Sequence, residues 1–145
     1  MVSPSVPVGL YRATQEPIVR GAYVAVCLPA DIAAFAKERS YLSFGFCEGW
    51  VQPVIKVVGA VAGDSVVVDE DGVEVNGKAL PDSETLAQDS AGRPLTHVTW
   101  RTHYVLEDEV WLFSFHHKNS WDSRYYGPVS TDHIISTAQA VWVKK

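Results

Sequence analysis

The sequence predicts a mostly β fold, and that prediction follows from its composition and from the pattern of its apolar residues. The chain has 145 residues, of which 47% are apolar and 20% charged, so it can bury one core and has ordinary single-domain size. Valine and aromatic residues occur in short runs separated by glycine, proline and aspartate, which is typical of strands and tight turns. We therefore expect one domain over residues 1–145, built from antiparallel sheets.

The clearest strands lie within residues 64–80. Valine-rich runs flank Asp71-Gly72, and Asn76-Gly77 supplies a second turn. Both dipeptides accept the positive φ angles of tight turns. The segment therefore predicts a β-meander.

The same pattern extends over much of the remaining chain. Five further apolar runs predict strands: 21–29, 53–61, 96–107, 109–115 and 136–145. Residues 81–95 are instead polar and contain proline and glycine, which predicts a long surface loop.

One short helix is expected at residues 30–40. Ile32 and Phe35 fall on one helical face, Asp31 lies in the first turn, and two basic residues near the end complement the helix dipole. The helix would lie in the stretch between the two cysteines.

Cys27 and Cys47 are the only cysteines. Two cysteines exclude a cysteine-rich zinc site, which usually needs three or four closely spaced Cys or His ligands. The choice between one disulfide and two buried thiols stays open, because free cysteine is commonly buried. A disulfide would indicate an oxidising compartment.

Charge argues against a nucleic-acid partner, and hydropathy against a membrane-spanning segment within these residues. A net charge of -5 and a pI near 5.4 do not suit a nucleic-acid binder, whose affinity comes from clustered Lys and Arg. No stretch reaches the roughly 18–20 consecutive apolar residues that cross a bilayer.

Five histidines offer a first candidate site, for a metal or a Ser-His-Asp triad: His97, His103, His116, His117 and His133. Neighbouring residues on a strand point to opposite faces, so the adjacent pair is poorly placed to bind one metal. We expect surface and loop histidines, and no cofactor.

Ser5 and Lys56 offer a second candidate site. A serine nucleophile needs a base, and a lysine serves only when burial lowers its pKa enough to leave some neutral amine. Lys56 is the one charged residue within 52–63, so a central strand would desolvate it. Periodicity alone favours the alternative, an edge-strand lysine that extends into solvent.

A third candidate is the polar segment 116–129. Asp122 and Arg124 are spaced to share a strand face or to flank a turn, where an ion pair could clamp the loop. Without further context this segment predicts only a structural role.

Four blocks in this order resemble the type I signal peptidases of the Ser/Lys dyad class, and most closely the TraF-type conjugative-transfer peptidases. The blocks are SPSVPVGLY at 3–11, RGAYVAVCLP at 20–29, PVIKVVGAVAGDSVVVDEDGVEVNG at 53–77, and NSWDSRYYGPV at 119–129. In the wider family the serine is followed by Met, any residue and Pro. Here Pro7 is only two residues beyond Ser5, which favours the TraF type.

The resemblance implies a role for each matching residue. Ser5 would be the nucleophile, Lys56 the general base, and Ser120 the hydroxyl that orients the lysine amine. Ser3 would offer its hydroxyl to the oxyanion beside the Ser5 backbone N–H. Prolines on both sides of Ser5 would restrict how it is presented.

The same resemblance assigns supporting roles outside the dyad. Asp122 and Arg124 would form a salt bridge that supports the lysine pocket, and in TraF-type members the aspartate has also been considered necessary for catalysis. Cys27 and Cys47 would form a disulfide, which suits the periplasmic face of the inner membrane. The family carries a membrane anchor ahead of the serine block, so we expect one to be missing upstream of residue 3 and Ser5 to be poorly held.

The function implied is a Ser/Lys endopeptidase that cuts signal peptides or conjugative pilin precursors, with pilin cyclisation as a further hypothesis. Its partners would be the precursor, the membrane through the missing anchor, and other conjugation proteins, with no nucleic acid. The alternatives are a general type I leader peptidase, a LexA-like autoprotease and a non-catalytic β binding module.

Overall fold

Two antiparallel sheets dominate the computed structural model, which describes residues 9–114 and 120–143, with side chains for 11–114 and 120–139. The strands and helices are β1 Gly9–Thr14, β2 Tyr23–Val26, α1 Ala30–Glu38, β3 Phe44–Cys47, β4 Val54–Ala60, β5 Ser65–Asp69, β6 Gly72–Val75, β7 Lys78–Ala79, β8 Thr102–Tyr104, β9 Glu109–Phe113, α2 Ser123–Tyr126, β10 Val129–Ser130 and β11 Ile134–Val143. The mostly β prediction is confirmed.

The order of the strands places β4 inside the larger sheet. In the described residues that sheet has six strands in the order β1-β11-β2-β4-β9-β10, and a second has four in the order β7-β6-β5-β8. On β4, Lys56 pairs with Val24 of β2, and Val57 pairs with Phe113 of β9. A central strand has neighbours on both edges, so the backbone in the middle of β4 is paired on both sides and β4 is not an edge strand.

Strand β9 connects the two parts of the core. Val110 and Leu112 pack into one hydrophobic cluster, and Trp111 and Phe113 pack into the other. Alternate residues of a strand point to opposite faces, so a strand buried on both faces must be apolar throughout. Gly59 leaves room on β4 for this packing, since a Cβ there would overlap the Phe113 ring.

The predicted meander is present as β5, β6 and β7. Val66 pairs with Val75 across the first hairpin, whose turn is closed by the Asp69 carboxylate accepting the Gly72 N–H. Asn76 and Gly77 form the second turn with φ angles of 52° and 84°, the left-handed conformation that these two residue types tolerate best.

Helix α1 occupies the loop that a disulfide closes. A covalent bond joins Cys27 to Cys47, with their Cα atoms 5.4 Å apart, which decides between the disulfide and the buried thiols. Within α1, Ala33 and Ala36 are buried, and Asp31 lies in the first turn as predicted. The disulfide therefore anchors α1 and β3 against the end of β2.

Residues 81–95 contain no strand or helix, as predicted, and Asp89 fixes their position. Its carboxylate accepts hydrogen bonds from the Tyr41 hydroxyl at 2.7 Å and from the Arg93 N–H at 2.8 Å. Burial alone would raise the pKa of Asp89, but these hydrogen bonds hold it at about 2, so the carboxylate stays charged. The loop is thereby fastened to the end of α1.

The strand prediction for 96–107 is wrong outside β8. The Val98 N–H donates to the Arg124 carbonyl at 3.0 Å, so the start of this segment packs beside α2 instead of joining a sheet.

None of the helices in the described ranges has the length and apolarity needed to cross a membrane.

Removal of the disulfide should destabilise the domain. The cross-link spans 20 residues, and restricting a loop of that length in the unfolded chain stabilises the fold by about 3 kcal/mol. We expect a Cys27→Ala/Cys47→Ala variant to lose about that much free energy of unfolding in urea denaturation. Reduced wild-type protein should match the variant, and an unchanged denaturation midpoint in both would contradict the prediction.

Candidate active site

Lys56 is enclosed in the larger sheet. Its side chain is 3% exposed, which corrects the alternative of an edge lysine that extends into solvent. Strands β2 and β9 flank β4, and the Ser114 hydroxyl and the Trp121 carbonyl cover the amine on the face of the sheet. The charge-bearing amine therefore lies in the protein interior.

Ser114 and Trp121 both accept hydrogen bonds from the amine of Lys56. Nζ donates to Ser114 Oγ at 2.9 Å and to the Trp121 carbonyl at 2.7 Å. Burial lowers the pKa of Lys56 to about 8, although the negative charge of Asp122 acts in the opposite direction. At pH 7 a group of that pKa is neutral in about one molecule in ten, against fewer than about one in a thousand for an ordinary lysine.

Asp122 and Arg124 form a fully buried ion pair beside this amine. Arg124 Nε lies 2.8 Å from Asp122 Oδ1 and Nη2 lies 3.0 Å from Oδ2, a bidentate contact. The two residues are 0% and 1% exposed. Burial would lower the pKa of Arg124, but Asp122 raises it overall, so the guanidinium remains charged. The salt bridge predicted from the resemblance is present.

The ion pair connects three segments around the lysine. Asp122 Oδ2 accepts the Ser114 N–H at 3.0 Å, which fixes the end of β9. Arg124 donates from Nη2 to the Ser120 carbonyl at 3.0 Å and from Nη1 to the Glu84 carbonyl at 2.8 Å. The pair thus holds β9, the segment before α2 and the 81–95 loop in one arrangement.

Aromatic side chains hold Trp121, whose carbonyl contacts the lysine. Its ring stacks on Phe35 of α1 with centroids 5.4 Å apart, and it also packs against Tyr41 and Tyr126. The Tyr126 hydroxyl is buried without a hydrogen-bond partner among the described residues, and burial raises its pKa well above the usual value. Phe35 belongs to α1, so the loop that the disulfide closes contacts the residue whose carbonyl binds Lys56.

The predicted site residues fall into two groups. The structure brings Lys56, Asp122 and Arg124 together and buries Ser120 at 1% exposure beside them in the chain. The role of Ser120 as the orienting hydroxyl stays a prediction, as do the roles of the dyad and of the ion pair in catalysis. Ser3 and Ser5 lie outside the described residues.

Sequence reasoning missed Ser114. It is 1% exposed and is the polar residue that ends the apolar run 110–113. A continuous apolar strand is a sign of burial on both faces, so a serine at its end could have been recognised as a buried hydroxyl. Its hydrogen-bond partner, Lys56, could not have been recognised, because that contact depends on the pairing of β4 with β9.

The described histidines do not form a site. His97 stacks on Trp100, and His103 Nε2 lies 2.7 Å from the Thr99 carbonyl. No three His, Cys, Asp or Glu side chains within 11–114 and 120–139 are grouped to hold a metal ion. His116 and His117 lie outside the described residues.

The sequence matches a known protein family along nearly its whole length. The family model described as signal peptidase, peptidase S26, matches residues 2–143. A plasmid transfer protein TraF from Escherichia coli is 40% identical over 139 residues, which cover 94% of this chain and 78% of that protein. A conjugal transfer protein TraF from Agrobacterium tumefaciens (strain 15955) is 34% identical, with 97% and 80% covered.

Among solved structures, the fold is similar to a signal peptidase I from Enterococcus faecalis V583. The superposition has a TM-score of 0.50 at 18% sequence identity, and it covers 86% of this chain and 98% of that one. At this identity the likeness concerns the fold alone, and it agrees with the antiparallel sheets described above.

Loss of the Arg124 side chain should lower the free energy of unfolding. Arg124→Met would leave the Asp122 carboxylate buried without its counter-charge, and we expect a loss of about 3–5 kcal/mol in free energy of unfolding. Arg101→Met, at an exposed arginine, is the control and should change little. Part of the loss should return in Asp122→Asn/Arg124→Met. A loss in Arg124→Met equal to that of the control would contradict the prediction.

The low pKa of Lys56 should make stability depend on pH. Between about 8 in the folded chain and 10.5 in the unfolded chain, only the unfolded chain keeps the proton, so the free energy of unfolding rises with pH. The rise should be about 2 kcal/mol from pH 7 to 9.5 in chemical denaturation. It should be absent in Lys56→Met and retained in the exposed Lys78→Met; an equal rise in both variants would show that Lys56 is not its source.

Proposed function

The chain belongs to the signal peptidase S26 family, and from this premise we propose that it is a Ser/Lys endopeptidase of the TraF type that cleaves exported precursor proteins. The observation that carries the proposal is the amine of Lys56, which is buried, hydrogen-bonded and partly neutral near pH 7. A lysine in that state can act as a general base.

In the proposed reaction, Ser5 is the nucleophile and Lys56 moves the proton. Neutral Lys56 takes the proton of the Ser5 hydroxyl as its oxygen attacks the scissile carbonyl, and the ammonium then protonates the leaving amine. Water next attacks the acyl-enzyme while Lys56 takes one of its protons. The ammonium then gives that proton to the Ser5 oxygen as the acyl–oxygen bond breaks, which releases the new carboxyl end and regenerates the Ser5 hydroxyl and neutral Lys56. Ser120 would help to orient the amine.

The tetrahedral intermediate needs hydrogen-bond donors for its oxyanion. The Ser5 backbone N–H and the Ser3 hydroxyl are the donors we assign, and removal of one such donor typically costs about 100-fold to 1,000-fold in rate. Asp122 and Arg124 support the pocket through the Ser114 N–H and the Ser120 carbonyl.

The substrates we propose are signal peptides or pilin precursors of a conjugation system. The relatives are named for plasmid transfer and conjugal transfer. The disulfide suits the oxidising periplasmic face of the inner membrane, where an N-terminal anchor would hold the enzyme beside its substrate. An acyl-enzyme can also be attacked by an amine, so cyclisation of the pilin is part of the hypothesis.

The proposal predicts that both members of the dyad are needed. We would express the chain behind a membrane anchor together with a conjugative pilin precursor, and measure the intact mass of the product. Ser5→Ala and Lys56→Ala should abolish processing, whereas the matched exposed variant Lys78→Ala should process normally. A product one water lighter than the linear cleaved pilin would show cyclisation.

Other outcomes identify the alternatives. Processing that survives in both Ser5→Ala and Lys56→Ala would refute the dyad and favour a β binding module. Cleavage of host secretory precursors without preference for the pilin would favour a general leader peptidase. Cleavage of the chain itself would favour a LexA-like autoprotease.

A further inference from the structure

We propose that Ser114 is a positioning residue for the Lys56 amine: with the Trp121 carbonyl it fixes the two N–H bonds of the neutral amine and so directs the lone pair. The inference rests on the proposed function, because a directed lone pair matters only if Lys56 acts as a base. It adds a residue that neither the dyad nor the predicted orienting serine accounts for.

The pairing of β4 with β9 places Ser114 opposite Lys56. Val58 pairs with Leu112 and Val57 with Phe113, and the next step of the same antiparallel register joins residue 56 to residue 114. Directly opposite residues in antiparallel strands project to the same face with Cβ atoms about 4.5–5.5 Å apart. The 2.9 Å contact between Lys56 Nζ and Ser114 Oγ is therefore a product of strand register.

The acceptors at Ser114 and Trp121 restrict how the amine is oriented. A neutral primary amine has two N–H bonds and one lone pair, and it can rotate about the Cε–Nζ bond. Donation to Ser114 Oγ and to the Trp121 carbonyl uses both N–H bonds and leaves one direction for the lone pair. Without the Ser114 oxygen, several rotamers of the amine become accessible, and fewer of them can accept a proton from the nucleophile.

The position of Ser114 is itself fixed by the buried ion pair. Its N–H donates to Asp122 Oδ2 at 3.0 Å, and that carboxylate is held from both oxygens by Arg124. Asp122 therefore acts on the lysine through space and also through the backbone of Ser114. This gives the ion pair a geometric role in addition to its electrostatic one.

The test compares Ser114→Ala with Ser123→Ala. Ser123 is also fully buried, and its hydroxyl accepts the Leu112 N–H at 2.8 Å, so both variants remove one buried serine hydroxyl near β9. Cleavage of a precursor peptide should show kcat reduced about tenfold in Ser114→Ala, with KM unchanged, as expected for lost general-base positioning. Ser114→Thr, which keeps the oxygen, should restore most of the rate.

The pH profile separates positioning from simple damage to the fold. A hydrogen bond accepted from the ammonium stabilises the charged lysine, so Ser114→Ala should move the acidic limb of kcat/KM down by about one pH unit. If the substitution instead admitted water to the site, Lys56 would be less desolvated and the acidic limb would move to higher pH. An unmoved limb, an upward shift, or a rate loss equal to that of Ser123→Ala would overturn the proposal.

A measurement without substrate keeps this inference separate from the proposed function. The Cε resonance of Lys56 can be titrated in protein labelled with 13C-lysine and assigned by its absence from Lys56→Arg. The pKa should be lower in Ser114→Ala than in wild type or Ser123→Ala, and equal values would overturn the hydrogen bond. If Ser5→Ala and Lys56→Ala retain cleavage, the proposed function fails whatever this titration shows.

Discussion

The lysine site depends on the buried contact between Asp122 and Arg124. Two charges removed from water are stabilising only when their geometry is good and their remaining hydrogen-bonding groups are satisfied. Here the bidentate contact is completed by the Ser114 N–H and by the carbonyls of Ser120 and Glu84. A hydrophobic pair of similar volume could fill the space, but it could not hold three separate segments in register. The main effect of the ion pair is therefore to fix the relative positions of these three segments, and not to add stability.

Burial of Lys56 lowers its pKa, and it also costs the fold stability. Folding at neutral pH must either desolvate an ammonium group or release its proton, and both carry a cost. The apolar clusters on the two sides of β9, with residues such as Val58 and Phe113 almost fully buried, supply the offsetting free energy. Functional sites commonly have such a local cost that the surrounding fold compensates. The disulfide contributes in the same direction by restricting the unfolded chain.

Local sequence patterns predicted the elements that local physics determines. The meander follows from turn dipeptides such as Asn76-Gly77, and α1 follows from residue spacing and charge. The disulfide and the ion pair needed the resemblance, since composition left them open. The features that could not be predicted depend on long-range pairing. The burial of Lys56 requires that β4 lie between β2 and β9, and Ser114 contacts Lys56 only because of the register between β4 and β9. Helix α2 was not predicted, because its four residues are too few to show a helical period.

The acceptors at Ser114 and Trp121 differ in how they respond to mutation. The oxygen of Ser114 belongs to a side chain, so a single nucleotide change can delete it, whereas every amino acid placed at position 121 still carries a backbone carbonyl. The stacking of Trp121 on Phe35 influences only where that carbonyl lies. Substitution of residue 114 can therefore remove the first hydrogen bond altogether. Substitution of residue 121 can only shift the position of the carbonyl that accepts the second.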